Sequence, residues 1–220
     1  VPEAEIRLMG LIIALIVLTV VAVTLQLIFS TWDHYFAGIF KMLASTCFIL
    51  LCVTSGGIYS AYGVAILIGL VLSWWGDLFL ISKSQVIFML GLVAFFLAHV
   101  AYCVAFISYE ADLYPALIAL GVLLIPGAFL VHWLYPYLGK MRFPVLSYMA
   151  VITLMVALGA ASAYGSSHLL ILVGAVSFYC SDIFVARDRF VCESRMNARV
   201  GLPLYYLGQI LLALSVIYAR

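Results

Sequence analysis

The chain has 220 residues, of which 68% are hydrophobic and only 9% are charged. Too few polar residues remain to cover the surface of a water-soluble domain, so the composition predicts a helical bundle surrounded by lipid. The net charge of +1 gives no indication of a nucleic-acid partner.

Eight apolar stretches are long enough to cross a membrane, since a helix needs about 20 residues to span the hydrocarbon layer. Helices are expected because lipid cannot satisfy free backbone groups. The first stretch is too long for a signal peptide, and no small-residue cleavage site follows it. The expected spans are 8–29, 36–54, 61–81, 86–108, 113–134, 145–164, 167–187 and 202–219.

The charges of the connecting segments predict the orientation. Eight spans place both termini on one side, together with Arg7, Glu110, Asp112 and Arg220. By the positive-inside rule the more basic side is cytoplasmic, so both termini are expected on the non-cytoplasmic side. The expected location is the bacterial cytoplasmic membrane, as an integral multi-pass protein. The longest connection, 188–200, is expected to be a surface loop or an interfacial turn. The basic side has Lys83, Lys140, Arg142, Arg189, Arg195 and Arg199, with Lys41 and Arg187 near it.

Two aspartates inside predicted membrane helices give the strongest functional signal. A carboxylate at hydrocarbon depth is costly unless it is paired, protonated or hydrated, so Asp77 and Asp182 predict a functional site. The alternative is a structural role, in which each acid hydrogen-bonds to a neighbouring helix.

The sequence around the two acids is repeated. Ser73–Leu80 and Phe178–Val185 share aromatic residues before the aspartate, and an aliphatic residue and a phenylalanine after it. The following helices, Gly91–His99 and Gly201–Gln209, share a glycine, a leucine, an aromatic pair and a final polar residue. Chance likeness is the alternative, but the order of the matches favours a duplication. The expected fold is therefore all-α, a single membrane domain of eight helices in two tandem halves, with both acids facing one cleft.

The helix faces that carry the acids are aromatic. Residues three and four positions apart share a face, so Trp74 lies on the face of Asp77. Tyr179 lies in the same way on the face of Asp182. Most buried polar residues are expected in the cytoplasmic half of the bundle, whereas His99 lies roughly 20 Å along its helix. Such a cleft can hold a lipid chain together with a polar headgroup.

Several of the polar residues also have a simpler interpretation. Lys41 is either a counter-ion of one aspartate or an anchor whose ammonium reaches the interface. His99 can bridge two helices by a hydrogen bond. Tyr148 and Tyr205 can belong to the interfacial aromatic belt. The arginines between residues 187 and 199 can be topology charges or can hold a phosphate.

Other chemistries lack their residues in this sequence. The four histidines are scattered, so no metal site is expected. The Gly-x-Ser-x-Gly elbow of serine hydrolases is missing. Intramembrane aspartyl proteases also use two acids, but Trp74 stands where the first glycine of their Gly-x-Gly-Asp signature belongs.

From helix 2 onward the chain resembles the lysoplasmalogenases, also called the YhhN-like membrane proteins. The densest likeness runs from Gly174 through Ser181-Asp182 to Arg189-Phe190. One position departs from the family pattern, because Met42 follows the helix 2 lysine where a proline is expected. The other residues that carry the resemblance are Lys41, Gly76-Asp77, Phe95, Ala98-His99, Tyr102, Tyr148 and Tyr205-Tyr206-Leu207-Gly208-Gln209.

The resemblance implies hydrolysis of the vinyl-ether bond of a lysoplasmalogen. The products would be a fatty aldehyde and glycerophosphoethanolamine or glycerophosphocholine. Such a bond opens when a proton is delivered to its β-carbon, which suits Asp77 and Asp182 as an acid and a carboxylate with no metal or organic cofactor. The sequence does not distinguish which aspartate is the acid. The residues expected to bind the substrate are Lys41, Trp74, His99, Tyr102, Tyr148, Tyr179, Arg189, Tyr205, Tyr206 and Gln209.

A small transporter or proton-coupled carrier is the alternative function. Parallel repeats, intramembrane acids and a polar cleft are also features of transporters. A carrier needs a polar lining that reaches both membrane faces, whereas the polar residues here favour one half of the bundle. The expected partners are therefore the lysophospholipid substrate and bilayer lipids, and the oligomeric state is left open.

Overall fold

The computed structural model of the chain describes residues 3–82, 84–109, 112–166 and 168–219. Eight α-helices account for most of these residues, and all eight are long and apolar enough to span a membrane. The expected all-α polytopic class is therefore confirmed. Lys83, Glu110 and Arg220, which contributed to the predicted orientation, lie outside the described residues. The helices are α1 (Glu3–Phe29), α2 (His34–Thr54), α3 (Ala61–Phe79), α4 (Gln85–Ser108), α5 (Leu113–Leu134), α6 (Arg142–Ser166), α7 (Leu169–Ala186) and α8 (Arg195–Ser215).

Polar residues at the helix starts explain where several helices begin. Asp33 precedes α2 and accepts a hydrogen bond from the backbone N–H of Tyr35 at 2.8 Å. Ser60 precedes α3 and accepts one from Gly63 N–H at 3.1 Å. These caps satisfy N–H groups that lack a partner in the first turn. Hydropathy locates the start of a helix only to within a few residues. The capping residues Asp33 and Ser60 define where α2 and α3 begin.

The eighth helix begins earlier than the sequence predicts. Ser194 caps α8, which starts at Arg195, so the prediction of a loop over 188–200 is wrong in its second half. The first turns of α8 are polar, which hid them from a search for apolar residues. Only a π-helical turn (Arg187–Val191) and three further residues separate α7 from α8. Pro203 is accommodated inside the helix.

The helix contacts have the pattern expected of two related halves. Adjacent helices pair as α1 with α2, α3 with α4, α5 with α6, and α7 with α8. In addition, α2 packs against α3 and α8, and α6 packs against α7 and α4. Gly91 lies under Phe79, and Gly201 lies under the corresponding Phe184, with positions for an added Cβ 3.4 Å and 3.1 Å from the phenylalanine Cβ atoms. The duplication remains a prediction, and these contacts are consistent with it.

Glycine allows α7 and α8 to approach closely. A Cβ on Gly208 would lie 2.9 Å from the carbonyl oxygen of Gly174 and 3.1 Å from the backbone nitrogen of Phe178. Both neighbours are backbone atoms of a packed helix and cannot turn aside. The absence of a side chain at Gly208 therefore fixes the separation of the two helices that carry Asp182 and Tyr205.

We expect Gly208→Ala to lower the thermal unfolding midpoint of the detergent-solubilised protein. Overpacking of this kind costs typically ~1–3 kcal/mol, which exceeds the gain of up to about 1 kcal/mol from better helix propensity. Gly121→Ala in α5 is the matched control, since a Cβ there meets nothing within 4 Å. The control should be neutral or stabilising, and equal midpoints for the two variants would contradict the close approach.

Candidate active site

A cavity of about 580 Å³ lies in one half of the bundle, and both intramembrane aspartates line it. Its walls come from α2 to α8, at the end of each of these helices nearest the connections around residues 80–82, 135–141 and 187–194. The lining is apolar where α4, α5 and α6 contribute, and polar where Lys41, Ser82 and Asp188 contribute. The cavity therefore combines an apolar wall with a polar surface toward its mouth, in the half that the charge pattern predicts to be cytoplasmic.

Asp77 is buried and is surrounded by hydrogen donors. Lys41 Nζ in α2 lies 3.2 Å from Asp77 Oδ1. The hydroxyls of Ser45 and Tyr205 each donate to Oδ2 at 2.6 Å. Because a buried carboxylate is stable only when it is paired and hydrogen-bonded, these groups account for its position inside the bundle. Lys41 is thus a counter-ion rather than a lipid-facing anchor.

Asp182 has different neighbours. The hydroxyl of Tyr148 in α6 donates to Asp182 Oδ2 at 2.5 Å. His99 Nε2 in α4 lies 3.9 Å from the same oxygen. Tyr148 is buried at 8% exposure and Tyr205 at 5%, so neither residue belongs to an interfacial belt. Each aspartate therefore receives a tyrosine hydroxyl from a neighbouring helix, but among the residues that the structure describes only Asp77 is paired with a lysine.

An aromatic cluster fills the space around the two acids. The ring of Phe178 lies 5.2 Å from Tyr205, 6.1 Å from Phe95 and 4.7 Å from the imidazole of His99, measured between centroids. Gly76 leaves room for Phe95, whose ring would clash with a Cβ at that position. The packing excludes water from one side of both carboxyls, where electrostatic interactions are strongest.

The turn between α7 and α8 forms part of the cavity mouth, and Asn197 holds it together. This side chain is 2% exposed and donates to Asp188 Oδ1 at 2.7 Å and to the carbonyl oxygen of Cys192 at 2.8 Å. It also accepts from Arg187 Nη1 at 2.6 Å. Arg189 is exposed, stacks on the ring of Phe88 at 4.3 Å and lines the cavity.

The predicted site residues fall into two groups. Those in the cavity lining are Asp77, Asp182, Lys41, Tyr148, Tyr179, Arg189 and Tyr205. The others lie outside the lining, namely Trp74, His99, Tyr102, Tyr206 and Gln209. Trp74 instead donates to Thr46 Oγ1 at 3.2 Å. Tyr102 donates to Gln209 Oε1 at 2.8 Å, and Tyr206 to the carbonyl oxygen of Lys41 at 3.1 Å. His99, Tyr102, Tyr206 and Gln209 are thus buried behind the lining, whereas Trp74 faces the exposed Thr46.

His99 lies much closer to Asp182 than its position along α4 suggests. Side chains lean toward the N-terminus of their own helix. Helix α4 begins at the charged end of the bundle and α7 begins at the opposite end, so the two side chains lean toward each other. His99 Nδ1 is 2.5 Å from the carbonyl oxygen of Phe95, so this hydrogen bond lies within α4 and does not bridge two helices.

The chain is similar to one protein family and to named relatives. The model of the YhhN family matches residues 36–216. The chain is 31% identical over 202 residues to the human protein named lysoplasmalogenase TMEM86A, covering 87% of this chain and 82% of that protein. It is also 31% identical over 163 residues to the Bos taurus protein of the same name, covering 70% of this chain and 66% of that protein. No solved structure matches the chain.

The chain belongs to the YhhN family. The resemblance inferred from the sequence is therefore confirmed. The YhhN match begins two residues into α2 and ends just after α8, so it contains the whole cavity lining and leaves out α1.

Two residues of this YhhN site were not singled out from the sequence. Ser45 lies four residues after Lys41, so the shared helix face was a signal that could have identified it. Asn197 lies in the segment assigned to a loop, where a buried amide was not expected. No comparable sequence signal identifies Asn197.

We expect Lys41→Met to lower the thermal unfolding midpoint markedly, because it leaves the Asp77 carboxylate buried without its counter-ion. Removal of one partner of a buried pair costs roughly 3–5 kcal/mol. The double variant Lys41→Met/Asp77→Asn should regain most of that loss, and Lys140→Met, at an exposed position, is the control. A double variant no more stable than the Lys41 single would show that the ion pair does not stabilise the fold.

Proposed function

We propose that this protein hydrolyses the vinyl-ether bond of lysoplasmalogens, releasing a fatty aldehyde and a glycerophosphoethanolamine or glycerophosphocholine. The observation that carries the proposal is one cavity in which both intramembrane carboxyls, Asp77 and Asp182, have unlike surroundings. Membership of the YhhN family and two relatives named lysoplasmalogenase support the same substrate. The protein is thus an ether hydrolase in the membrane.

The reaction needs one proton donor and one carboxylate. Protonation converts the β-carbon into a CH₂ group. The other carbon of the former C=C bond is then cationic and forms an oxocarbenium ion with the ether oxygen. Water then bonds to the cationic carbon and loses a proton, which gives a hemiacetal. Collapse of the hemiacetal breaks the bond to the glycerol oxygen, which takes a proton and leaves as the alcohol, while the other product is the aldehyde. One water is consumed, and both carboxyls return to their initial states.

The shape of the cavity supports an amphiphilic substrate. Leu92, Leu134 and Ile152 lie on the apolar wall and suit an alkenyl chain, while Arg189 at the mouth suits a phosphate. With the chain on the apolar wall and the phosphate at Arg189, the vinyl ether between them would lie next to Lys41 and the two aspartates. Tyr179 also lines the cavity, and its buried hydroxyl has no hydrogen-bond partner among the described residues, which leaves it available for the glycerol backbone.

The carrier alternative has less support. A carrier exposes its site alternately to both sides of the membrane. Every described residue of the cavity lining belongs to the same end of the bundle. No specific contact in the described part of the chain favours transport over hydrolysis.

We expect Asp77→Asn and Asp182→Asn each to lose most aldehyde release from a lysoplasmenyl lipid. General acid–base groups contribute about 10²–10⁴-fold in rate, and the double variant should be little worse than either single variant because the acids act as a unit. The substitutions are nearly isosteric, so the proteins should still purify as monodisperse species. Tyr205→Phe and His99→Ala should do less harm.

Asp33→Asn is the matched control for these variants. Asp33 is exposed at the start of α2, where asparagine caps a helix as well as aspartate does, so turnover should be unchanged. Near-normal turnover in either variant of the intramembrane acids would mean that the two-aspartate mechanism is wrong.

We further propose that the turn between α7 and α8 is cytoplasmic, on the basis of the basic residues on its side of the bundle. Cys192 is exposed in that turn, whereas Tyr59 is 78% exposed in the connection between α2 and α3 at the opposite end. In intact cells an impermeant thiol reagent should leave Cys192 unlabelled until the membrane is permeabilised, and should label a Tyr59→Cys variant at once. Immediate labelling of Cys192 would reverse the orientation.

A further inference from the structure

Asp77 and Asp182 differ in the hydrogen-bond donors and acceptors that surround them. This difference indicates separate roles for the two acids. Around Asp77, three groups supply hydrogen atoms: the ammonium of Lys41 and the hydroxyls of Ser45 and Tyr205. An ionised carboxylate accepts from all three, whereas a protonated carboxyl would turn its own O–H toward a donor. The surroundings of Asp77 therefore fit the ionised form.

The hydroxyl of Ser45 has its hydrogen available for Asp77. Besides Asp77, the acceptors near Ser45 are the hydroxyl oxygen of Tyr206, at 3.3 Å, and the carbonyl oxygen of Lys41, at 3.0 Å. That oxygen already accepts a hydrogen bond from the hydroxyl of Tyr206 at 3.1 Å. Tyr206, which lies outside the cavity lining, thus contributes to keeping Asp77 surrounded by donors.

Asp182 accepts one hydrogen bond, from the hydroxyl of Tyr148, which a protonated carboxyl can still accept with a remaining lone pair. His99 presents a different group to Asp182. The carbonyl oxygen of Phe95 lies 2.5 Å from His99 Nδ1 and has no hydrogen of its own, so Nδ1 must carry the proton. In the neutral ring, Nε2 is then an acceptor with a free lone pair. It is buried, has no hydrogen-bond partner among the described residues, and lies 3.9 Å from Asp182 Oδ2.

The packing around His99 fits the neutral ring. The side chain is fully buried, with the rings of Tyr148 and Phe178 at centroid distances of 5.1 Å and 4.7 Å. An imidazolium there would bury a positive charge among aromatic rings, which costs more than burying the neutral ring. A neutral acceptor facing a carboxyl is satisfied when the carboxyl supplies the hydrogen, since a buried polar atom normally finds a partner.

We propose that Asp182 is the protonated general acid of the reaction, that its proton is directed to His99 Nε2 before the substrate binds, and that Asp77 is the carboxylate. This assignment rests on the proposed function. A side-chain rotation that closes about 1 Å brings His99 Nε2 and Asp182 to hydrogen-bonding distance, and such contacts are often long before substrate binds. His99 is a positioning residue in this scheme, because it acts through Asp182.

With Asp182 as the acid and Asp77 as the carboxylate, every proton in the reaction is accounted for. Asp182 gives its proton to the β-carbon and becomes a carboxylate, while the positive charge develops opposite Asp77. Asp77 takes a proton from the water whose oxygen bonds to the cationic carbon. When the hemiacetal collapses, its hydroxyl proton passes to Asp182, and Asp77 gives its proton to the leaving glycerol oxygen. Both carboxyls are then as they were at the start.

Infrared spectroscopy of the purified full chain, labelled with ¹³C-aspartate at neutral pH, tests the assignment directly. The carbonyl stretch of a protonated carboxylic acid is separate from the carboxylate bands. We expect a protonated-aspartate band in the unsubstituted protein, in Asp77→Asn and in the control Asp33→Asn. We expect its loss in Asp182→Asn. Absence of the band from the unsubstituted protein, or its loss in Asp77→Asn but not in Asp182→Asn, would overturn the proposal.

The role of His99 has its own signature in the same spectra. His99→Phe removes the acceptor, so the Asp182 carbonyl band should move to higher frequency as the hydrogen bond is lost. His99→Gln offers an amide oxygen as a substitute acceptor and should move the band back. A band at the same frequency in the unsubstituted protein and both variants would show that His99 only fills space.

Binding of a cationic lysolipid provides a second measurement that does not depend on turnover. A secondary ammonium in place of the vinyl ether mimics the charge of the oxocarbenium ion. Asp77→Asn should weaken its binding by about tenfold or more, and Asp182→Asn should change it little. The reverse order would overturn the assignment. A protein that shows both signatures but releases no aldehyde would contradict the proposed function and leave the proton assignment intact.

Discussion

The structure depends on the cost of placing the Asp77 carboxylate inside a bundle that lipid surrounds. An unpaired charge at that depth is expensive, so the groups that neutralise it must be held in place by the fold. Lys41 and Ser45 come from α2 and Tyr205 comes from α8, while Asp77 itself is on α3. Three helices are thus tied together at one point. The same contacts that stabilise the charge also fix the wall of the cavity.

The neighbours of Asp182 come from helices equivalent to those around Asp77, but they do not include a charged lysine among the described residues. Asp77 receives the hydroxyl of Ser45 from α2 and a group from α8, and Asp182 receives the hydroxyl of Tyr148 from α6 and faces a group from α4. In each case the second helix of one half and the fourth helix of the other half supply the neighbours, as duplicated halves would. The difference lies in Lys41, since its ammonium serves only Asp77. Unequal neighbours at comparable positions allow two identical side chains to perform opposite steps.

The sequence predicts the parts of this structure that lipid dictates. Eight spans follow from hydropathy because each helix must satisfy its own backbone, and the two acids stand out because charge is rare at that depth. The sequence does not say which helices are neighbours, so it could not decide whether Lys41 is an anchor or a counter-ion. Trp74 was chosen because it shares a face with Asp77, but a face is wide, and this indole turns toward Thr46. The buried amide of Asn197 was missed because the polar start of α8 resembles a loop.

The asymmetry of the cavity wall explains how a lipid-derived chain and a water-consuming reaction can share one site. Helix α5 contributes Leu130 and Leu134 to the lining, and only Ala116 and Leu134 of that helix are buried, so one helix separates this side of the cavity from lipid. An alkenyl chain is more stable against such a wall than in water, because the transfer of apolar surface out of water is favourable. Water meets the opposite end, where Asp188 and Glu193 line the mouth. A vinyl ether lies where chain meets headgroup, so in the proposed binding orientation it would reach the depth of Asp77 and Asp182, between the apolar wall and the polar mouth.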